Sequence, residues 1–301
     1  MGIDLSRRAV LASMLAVPTL FGLAHAGSAD AGPVARSDKR HRLRELEADY
    51  PGRIGVSAFN TGDGRAIAYR AGERFAIAST FKVLAAAAIL RKARRDEPGL
   101  LDRVVHYTRA DLVPHSPITE KHVATGMTVA RLCEATITHS DNTAGNLLLR
   151  ELGGPGAITA FTRTLGDHRT RLDRWETELN SAIPGDRRDT TTPGSMTRNL
   201  YALTLGHGLV RPDRERLTGW LLANTTGGGR IRAGVPSDWK VGDKTGTPAY
   251  GGVHDVAIVW PPDARPLIIS VYTTRTDPDT PGEERVVRDI TRVVVDAIGP
   301  R

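Results

Sequence analysis

Apolar and polar positions alternate along Arg53-Ile54-Gly55-Val56-Ser57-Ala58-Phe59-Asn60, the period of two that sends successive side chains to opposite faces of a strand. Thr61-Gly62-Asp63-Gly64 then supplies a turn signal before the short run Ala66–Tyr69, so two antiparallel strands are predicted. Upstream, residues 37–49 carry a capping serine, many charges and apolar residues at helical spacing, which predicts a surface helix. The period changes at Ser79. From there to about Thr225 the pattern is helical, interrupted by loops at 114–118 and 153–155 and by a long irregular stretch, 165–193. A connection of that length without periodicity exceeds ordinary loops and points to a functional Ω-type loop. Strand patterns return at 239–247, 253–260 and 266–274, separated by Gly and Pro clusters. Residues 281–298 then set Val286, Val287, Ile290, Val293, Val294 and Ile298 on one side of a closing amphipathic helix.

Strands at both ends of the chain around a helical middle predict an α/β fold: an antiparallel sheet flanked by helices, built from both chain ends, with an inserted all-α domain. The expected division is 27–77 with 226–301 for the sheet domain and 78–225 for the insert, which carries the 165–193 loop. The 301 residues suffice for a sizeable core. The net charge of +7 comes from arginines spread along the chain, without the basic block of a nucleic-acid tail, so no nucleic-acid partner is expected. Cys133 is the single cysteine, which excludes an intrachain disulfide and a cysteine metal site and leaves a buried structural thiol.

Residues 1–26 read as an export leader: Ser6-Arg7-Arg8, an apolar stretch, then Ala24-His25-Ala26 as a small-x-small cleavage site. The paired arginines suggest the twin-arginine route. The apolar stretch is shorter than a membrane span needs, and no cysteine follows the cleavage site to carry a lipid. The mature protein is therefore expected to be secreted or periplasmic, off the membrane and monomeric.

Chemistry concentrates at Ala78-Ser79-Thr80-Phe81-Lys82, just ahead of the apolar run Val83 to Leu90. Placed in the first turn of a helix, Ser79 and Lys82 share a face, and an amine within reach of a hydroxyl is what a serine nucleophile needs. Helix-terminal N–H groups would also favour an oxyanion. Ser-x-x-Lys recurs by chance, and a second copy, Ser237-Asp238-Trp239-Lys240, precedes a strand, where residues three apart point to opposite faces. Three further clusters bear on Ser79, each with an ordinary reading beside it. Ser140-Asp141-Asn142 opens a helix and could be only a cap. Glu176 and Asn180, four residues apart in the long loop, could hold a water or be solvated acid and amide. Lys244-Thr245-Gly246-Thr247 ends a strand, with Gly246 permitting close approach of a ligand or simply a turn.

Taken together and in this order, Ser79-x-x-Lys82, Ser140-Asp141-Asn142, Glu176-x-x-x-Asn180 and Lys244-Thr245-Gly246 resemble the class A serine β-lactamases, and the resemblance spans the mature chain. It implies a β-lactamase/transpeptidase-like fold and hydrolysis of penicillins and related antibiotics through an acyl-enzyme on Ser79. It also implies catalytic roles for Ser79, Lys82, Ser140, Glu176 and Lys244, with the acylation base left open between Lys82 and Glu176. Substrate contacts would come from Asn142, Asn180, Thr245, Gly246, Thr247, Arg230 and His115, an oxyanion hole from the backbone N–H groups of Ser79 and Thr247, and an ion pair between Arg174 and Asp189 would close the loop.

Departures lie at the rim. His115 stands where Tyr or Trp is usual, Pro248 follows Thr247 where a small residue is usual, and His254 precedes Asp255 where Asn is common. No histidine pair has metal-ligand spacing, and Gly227-Gly228-Gly229-Arg230 lacks the Gly-Lys-Ser/Thr ending of a phosphate loop, so no metal and no organic cofactor is expected. A DD-peptidase would share Ser79, Lys82, Ser140 and Lys244 but lack the water-activating Glu176 and Asn180. A non-hydrolytic ligand-binding protein would not need the intact nucleophile, base and relay.

Overall fold

The computed structural model describes residues 33–300. The predicted leader, 1–26, lies outside the described residues. Helix α1 (Pro33–Ala48) is followed by strands β1 (Gly52–Asn60) and β2 (Ala66–Tyr69), joined by the expected tight turn, in which Gly64 takes φ 73°. The chain returns to this sheet only near its end, with β7 (Lys240–Gly246), β8 (His254–Trp260) and β9 (Leu267–Arg275), before the closing helix α9 (Glu284–Ile298). The order β2-β1-β9-β8-β7 is antiparallel throughout, so both ends of the chain build one sheet.

The run Leu267-Ile268-Ile269 continuing to Tyr272 is apolar at nearly every position because both sheet faces are covered. Ile268 and Tyr272 join one core cluster, while Leu267, Ile269 and Val271 join the other, the alternation that the pleat dictates. On the second face α9 docks through Val287, Ile290, Val293, Val294 and Ile298, with Leu43 of α1 beside it. The first face carries the helical middle of the chain. Its centre is α2 (Phe81–Arg95), buried all round from Phe81 to Leu90, the pattern of a core helix rather than a surface one. Four consecutive alanines keep it slim, and Lys92, Arg94 and Arg95 complement its C-terminal dipole.

Around α2 pack α3 (Val129–Thr138), α4 (Asn142–Leu152), α5 (Gly156–Thr164), α6 (Pro193–Thr204) and α7 (Arg211–Leu222), with the one-turn α8 (Ile231–Gly234) leading into β7. Short pairs tie the loops down: β3 (Phe75–Ala76) with β6 (Thr190–Thr191), and β4 (Val104–Val105) with β5 (Met127–Thr128). The β3–β6 pair and an Arg171–Thr190 bridge close the neck of the 165–193 loop, and one 3₁₀ turn, Glu178–Asn180, lies within it. Cys133 is buried in α3, and its apolar surroundings push the thiol pKa up.

One boundary departs from expectation in a way that matters. Ser79 is not in the first turn of α2; it sits in a separate 3₁₀ turn, Ala78–Thr80, entered through Ala78 at φ 43°. Left-handed backbone at a β-carbon-bearing residue is strained and is found where surrounding structure holds it. Thr80 helps to hold it: its hydroxyl bonds Ile77 O at 2.5 Å and lies 2.9 Å from Tyr272 Oη.

Candidate active site

Asp141, buried, caps α4 by accepting from Ala144 N at 2.8 Å, and the same carboxylate accepts from the backbone N–H groups of Ile118 and Thr119. The 114–119 loop is thereby fixed to the helix start. Ser140, just before this cap, has φ 56° and presents both its carbonyl and its hydroxyl to buried lysines. Lys82 Nζ donates to Ser140 O at 2.7 Å, and Lys244 Nζ donates to Ser140 Oγ at 3.0 Å. The hydroxyl of Ser140 is thus poised between two amines, with Lys82 Nζ 3.4 Å away.

Glu176 completes the centre. Its Oε1 lies 3.1 Å from Lys82 Nζ and accepts from Ser79 Oγ at 3.4 Å, while Oε2 accepts from Asn180 Nδ2 at 2.5 Å. No direct Lys82–Ser79 bond forms; the serine meets the carboxylate instead, and Lys82 meets Glu176, Ser140 and Asn142 Oδ1 (2.5 Å). Burial lowers the pKa of Lys82, opposed by the attraction of Glu176. Lys244 is held well below its ordinary value by burial and then by repulsion from Lys82. Two fully buried ammonium groups repel one another and each loses its hydration, and the carboxylates around them, Glu176 and Asp141 for Lys82 and Asp243 and Asp255 for Lys244, offset this only in part.

Sequence reasoning missed the group that positions Glu176. Asn146 donates to Glu176 O and accepts from Glu176 N, each at 2.9 Å, clamping the residue's backbone from α4. It lies four residues after Asn142, one helical turn on the same face, and that spacing was the available signal. Asn180 Oδ1 is buried with no protein partner. Beside Glu176, such an orphaned acceptor marks a place for a polar guest.

Above this floor lies a cavity of about 320 Å³ lined by Ser79, His115, Ser140, Asn142, Asn180, Arg230, Thr245, Gly246 and Thr247, together with the unforeseen Thr226. Every residue expected to contact substrate therefore lines one cavity. Gly246 packs closely on the turn that carries Ser79: a Cβ there would stand 3.2 Å from Thr80 Cγ2 and 3.3 Å from Ala78 Cβ, so that turn would have to shift slightly. Arg230, nearly buried, donates from Nη1 to the carbonyls of Gly246 and His254 and from Nη2 to Thr247 Oγ1 at 2.9 Å, with Nε paired to Glu284. Asn142 is also committed: Nδ2 donates to Pro114 O, and Oδ1 takes Lys82.

The loop neck gathers around Asp189. Arg174 Nε meets Asp189 Oδ2 at 2.5 Å, and Asp189 also accepts the N–H groups of Asp173 and Arg174. The Asp189 carbonyl accepts from Ile77 N at 2.8 Å, linking the neck to the strand that precedes Ser79. The rim departures have local consequences. His115 takes φ 61° and bonds the His139 carbonyl at 3.1 Å. Pro248 leads into Ala249, whose N–H donates to Asn180 O at 2.8 Å. His254 lies in the core against Tyr272, and burial lowers its pKa to about 3, so it stays neutral. The second Ser-x-x-Lys has both Ser237 and Lys240 exposed. Among the described residues no cluster of His, Cys, Asp and Glu could hold a metal ion.

A profile described as the "Beta-lactamase enzyme family" matches residues 38–298. The chain belongs to the class A β-lactamase family. It is 55% identical over 258 residues to Beta-lactamase AST-1 of Nocardia asteroides, covering 86% of this chain and 83% of that protein. Among solved structures, a β-lactamase from Streptosporangium roseum superposes with a TM-score of 0.85 at 55% identity, covering 87% of this chain and 98% of its own. An ancestral class A β-lactamase (GNCA) gives 0.83 at 52% identity, covering 86% and 100%. Family membership makes the chain a hydrolase acting on β-lactams.

Proposed function

We propose that Ser79 opens the β-lactam ring and that Glu176 releases the product. Ser79 Oγ attacks the lactam carbonyl while the backbone N–H groups of Ser79 and Thr247 bind the oxyanion. The hydroxyl proton passes to the buried Glu176–Lys82 pair. As the C–N bond breaks, Ser140 gives its proton to the lactam nitrogen and regains one from its lysine neighbours, with Lys244 stabilising the transfer. Thr245, Thr247 and Arg230 take the substrate carboxylate, and Asn142 and His115 border its side chain. A water between Glu176 and the unpartnered Asn180 Oδ1 then attacks the ester, Glu176 takes its proton, and Ser79 Oγ leaves with a proton returned.

The observation that carries this reading is the 3.4 Å contact between Ser79 Oγ and Glu176 Oε1, which puts a carboxylate beside the future ester. Only hydrolysis needs it; a peptidase that hands its acyl group to an amine does not. The test is intact-protein mass spectrometry of Glu176→Ala after addition of a penicillin. A general base contributes about 10²- to 10⁴-fold, so the variant should retain the mass of one opened penicillin for minutes, and Ser79→Ala should abolish that adduct. Turnover at the wild-type rate by Glu176→Ala would reject the mechanism.

We further propose that 27–77 with 226–301 form one lobe and 78–225 the other, with the catalytic cavity between them. The leader motif supports export by the twin-arginine route to a secreted or periplasmic site, where the protein works as a monomer. No helix among the described residues is long and apolar enough to cross a membrane.

A further inference from the structure

A second cavity, of about 800 Å³, lies between the later half of the Ω-type loop, β3 and the facing ends of β1 and β9, and it shares no lining residue with the catalytic cavity. Seven arginines line it against three carboxylates, so its walls carry uncompensated positive charge. Arg53, Arg174, Arg188 and Arg275 each hold a carboxylate. Arg74, Arg169 and Arg187 hold none among the described residues.

The Arg74 guanidinium is tied to the main chain of the other two. Arg74 Nη1 donates to the Arg169 carbonyl at 2.7 Å and to Thr190 Oγ1 at 2.9 Å, and Thr190 Oγ1 donates to the Arg187 carbonyl at 2.8 Å. Arg74 Nε and Nη2 have no protein partner among the described residues. Burial, and then repulsion from Arg187, Arg169 and Arg171, lowers the Arg74 pKa, with Asp167 only partly opposing them, so cations outweigh the counter-charge there. Guanidinium forks match the paired oxygens of phosphate-type anions.

We propose that this cavity binds a small multivalent oxyanion of the phosphate type, bridging Arg74 beside β3 to Arg169 and Arg187 on the two arms of the loop neck. The ligand would replace like-charge repulsion with attraction at the point where the loop leaves and rejoins the body. It would act on loop stability and touch no group of the β-lactam chemistry, so it stands apart from the catalytic reading.

Titration calorimetry with inorganic pyrophosphate at fixed ionic strength tests this, alongside thermal melts. One saturable site is expected, with orthophosphate weaker than pyrophosphate. A concentration tenfold above Kd should raise Tm by about 3–6 °C. Arg74→Gln and Arg187→Gln should each weaken pyrophosphate binding at least about tenfold, the scale of one lost charge-assisted contact. Arg187 is exposed, so its variant keeps the fold even where loss of Arg74 loosens the neck. Absence of saturable heat, a Tm shift reproduced by sodium chloride at equal ionic strength, or undiminished affinity in Arg187→Gln would each overturn the proposal.

Discussion

Arg230 gives most of its guanidinium to the protein, two carbonyls from Nη1 and Glu284 from Nε, and faces the cavity mainly through Nη2 and Thr247. A charge-assisted hydrogen bond is worth roughly 1.5–3 kcal/mol, so Arg230→Ala should raise the KM for penicillins about 10- to 150-fold while slowing acylation less. Steady-state kinetics checks this. Arg275 offers no substitute, because its guanidinium stacks on Tyr50 and pairs with Glu283 outside the cavity. Lys244 makes a second prediction. Its pKa is depressed from 10.5, so between the folded value and the unfolded one the unfolded chain binds more protons, and this group's contribution to stability rises with pH through that window. Below it the buried amine must be charged in both states and is at its most unfavourable. Relative to wild type, Lys244→Met should therefore be favoured most at about pH 6 and less at about pH 9, as urea unfolding at each pH would show. A difference that did not vary with pH would mean that the lysine keeps an ordinary pKa.

At the scale of elements, the Ω-type loop is an ordered structure suspended from its neck. Asp189 takes the Arg174 side chain and two backbone N–H groups, and its carbonyl holds Ile77, so one residue governs both the loop and the approach to Ser79. Removing one partner of a buried pair costs about 3–5 kcal/mol. Asp189→Ala should lower Tm and penicillin turnover together, and unchanged values of both would remove the neck from the mechanism. Strands were legible because alternation is local: β1, β2 and β7 to β9 fall within two residues of their expected ends. The start of α2 was not, because the 3₁₀ turn at Ser79 depends on Tyr272, far along the chain. Likewise Ser-x-x-Lys spacing suggested a direct Ser79–Lys82 contact. The structure interposes Glu176, from a loop that helical geometry says nothing about.

For the molecule as a whole, the proposed chemistry draws on residues that sequence separates widely: Lys244 meets Ser140 across 104 positions and Glu176 meets Ser79 across 97. Motif order named these residues; only the fold, which returns the chain's end to the sheet begun by its start, could bring them together. Asn146 escaped notice because its spacing from Asn142 puts it on the same helix face but does not name its partner in the loop. The same architecture separates stability from catalysis. Ile290 of α9 is fully buried in the cluster on one sheet face, whereas Ile77 and Phe81, which flank the turn of Ser79, belong to the other. Ile290→Ala leaves a cavity and should cost about 2–5 kcal/mol, lowering Tm by several degrees. Because Ile290 lies away from the Glu284–Arg230 pair by which the first turn of α9 meets a residue of the catalytic cavity, the kcat for penicillin measured well below the new Tm should match wild type. Calorimetry and steady-state kinetics on the same preparation decide the matter. A kcat that fell while the protein remained folded would show that packing behind the sheet sets the geometry of Ser79, and the two faces would then have to be treated as one mechanical unit.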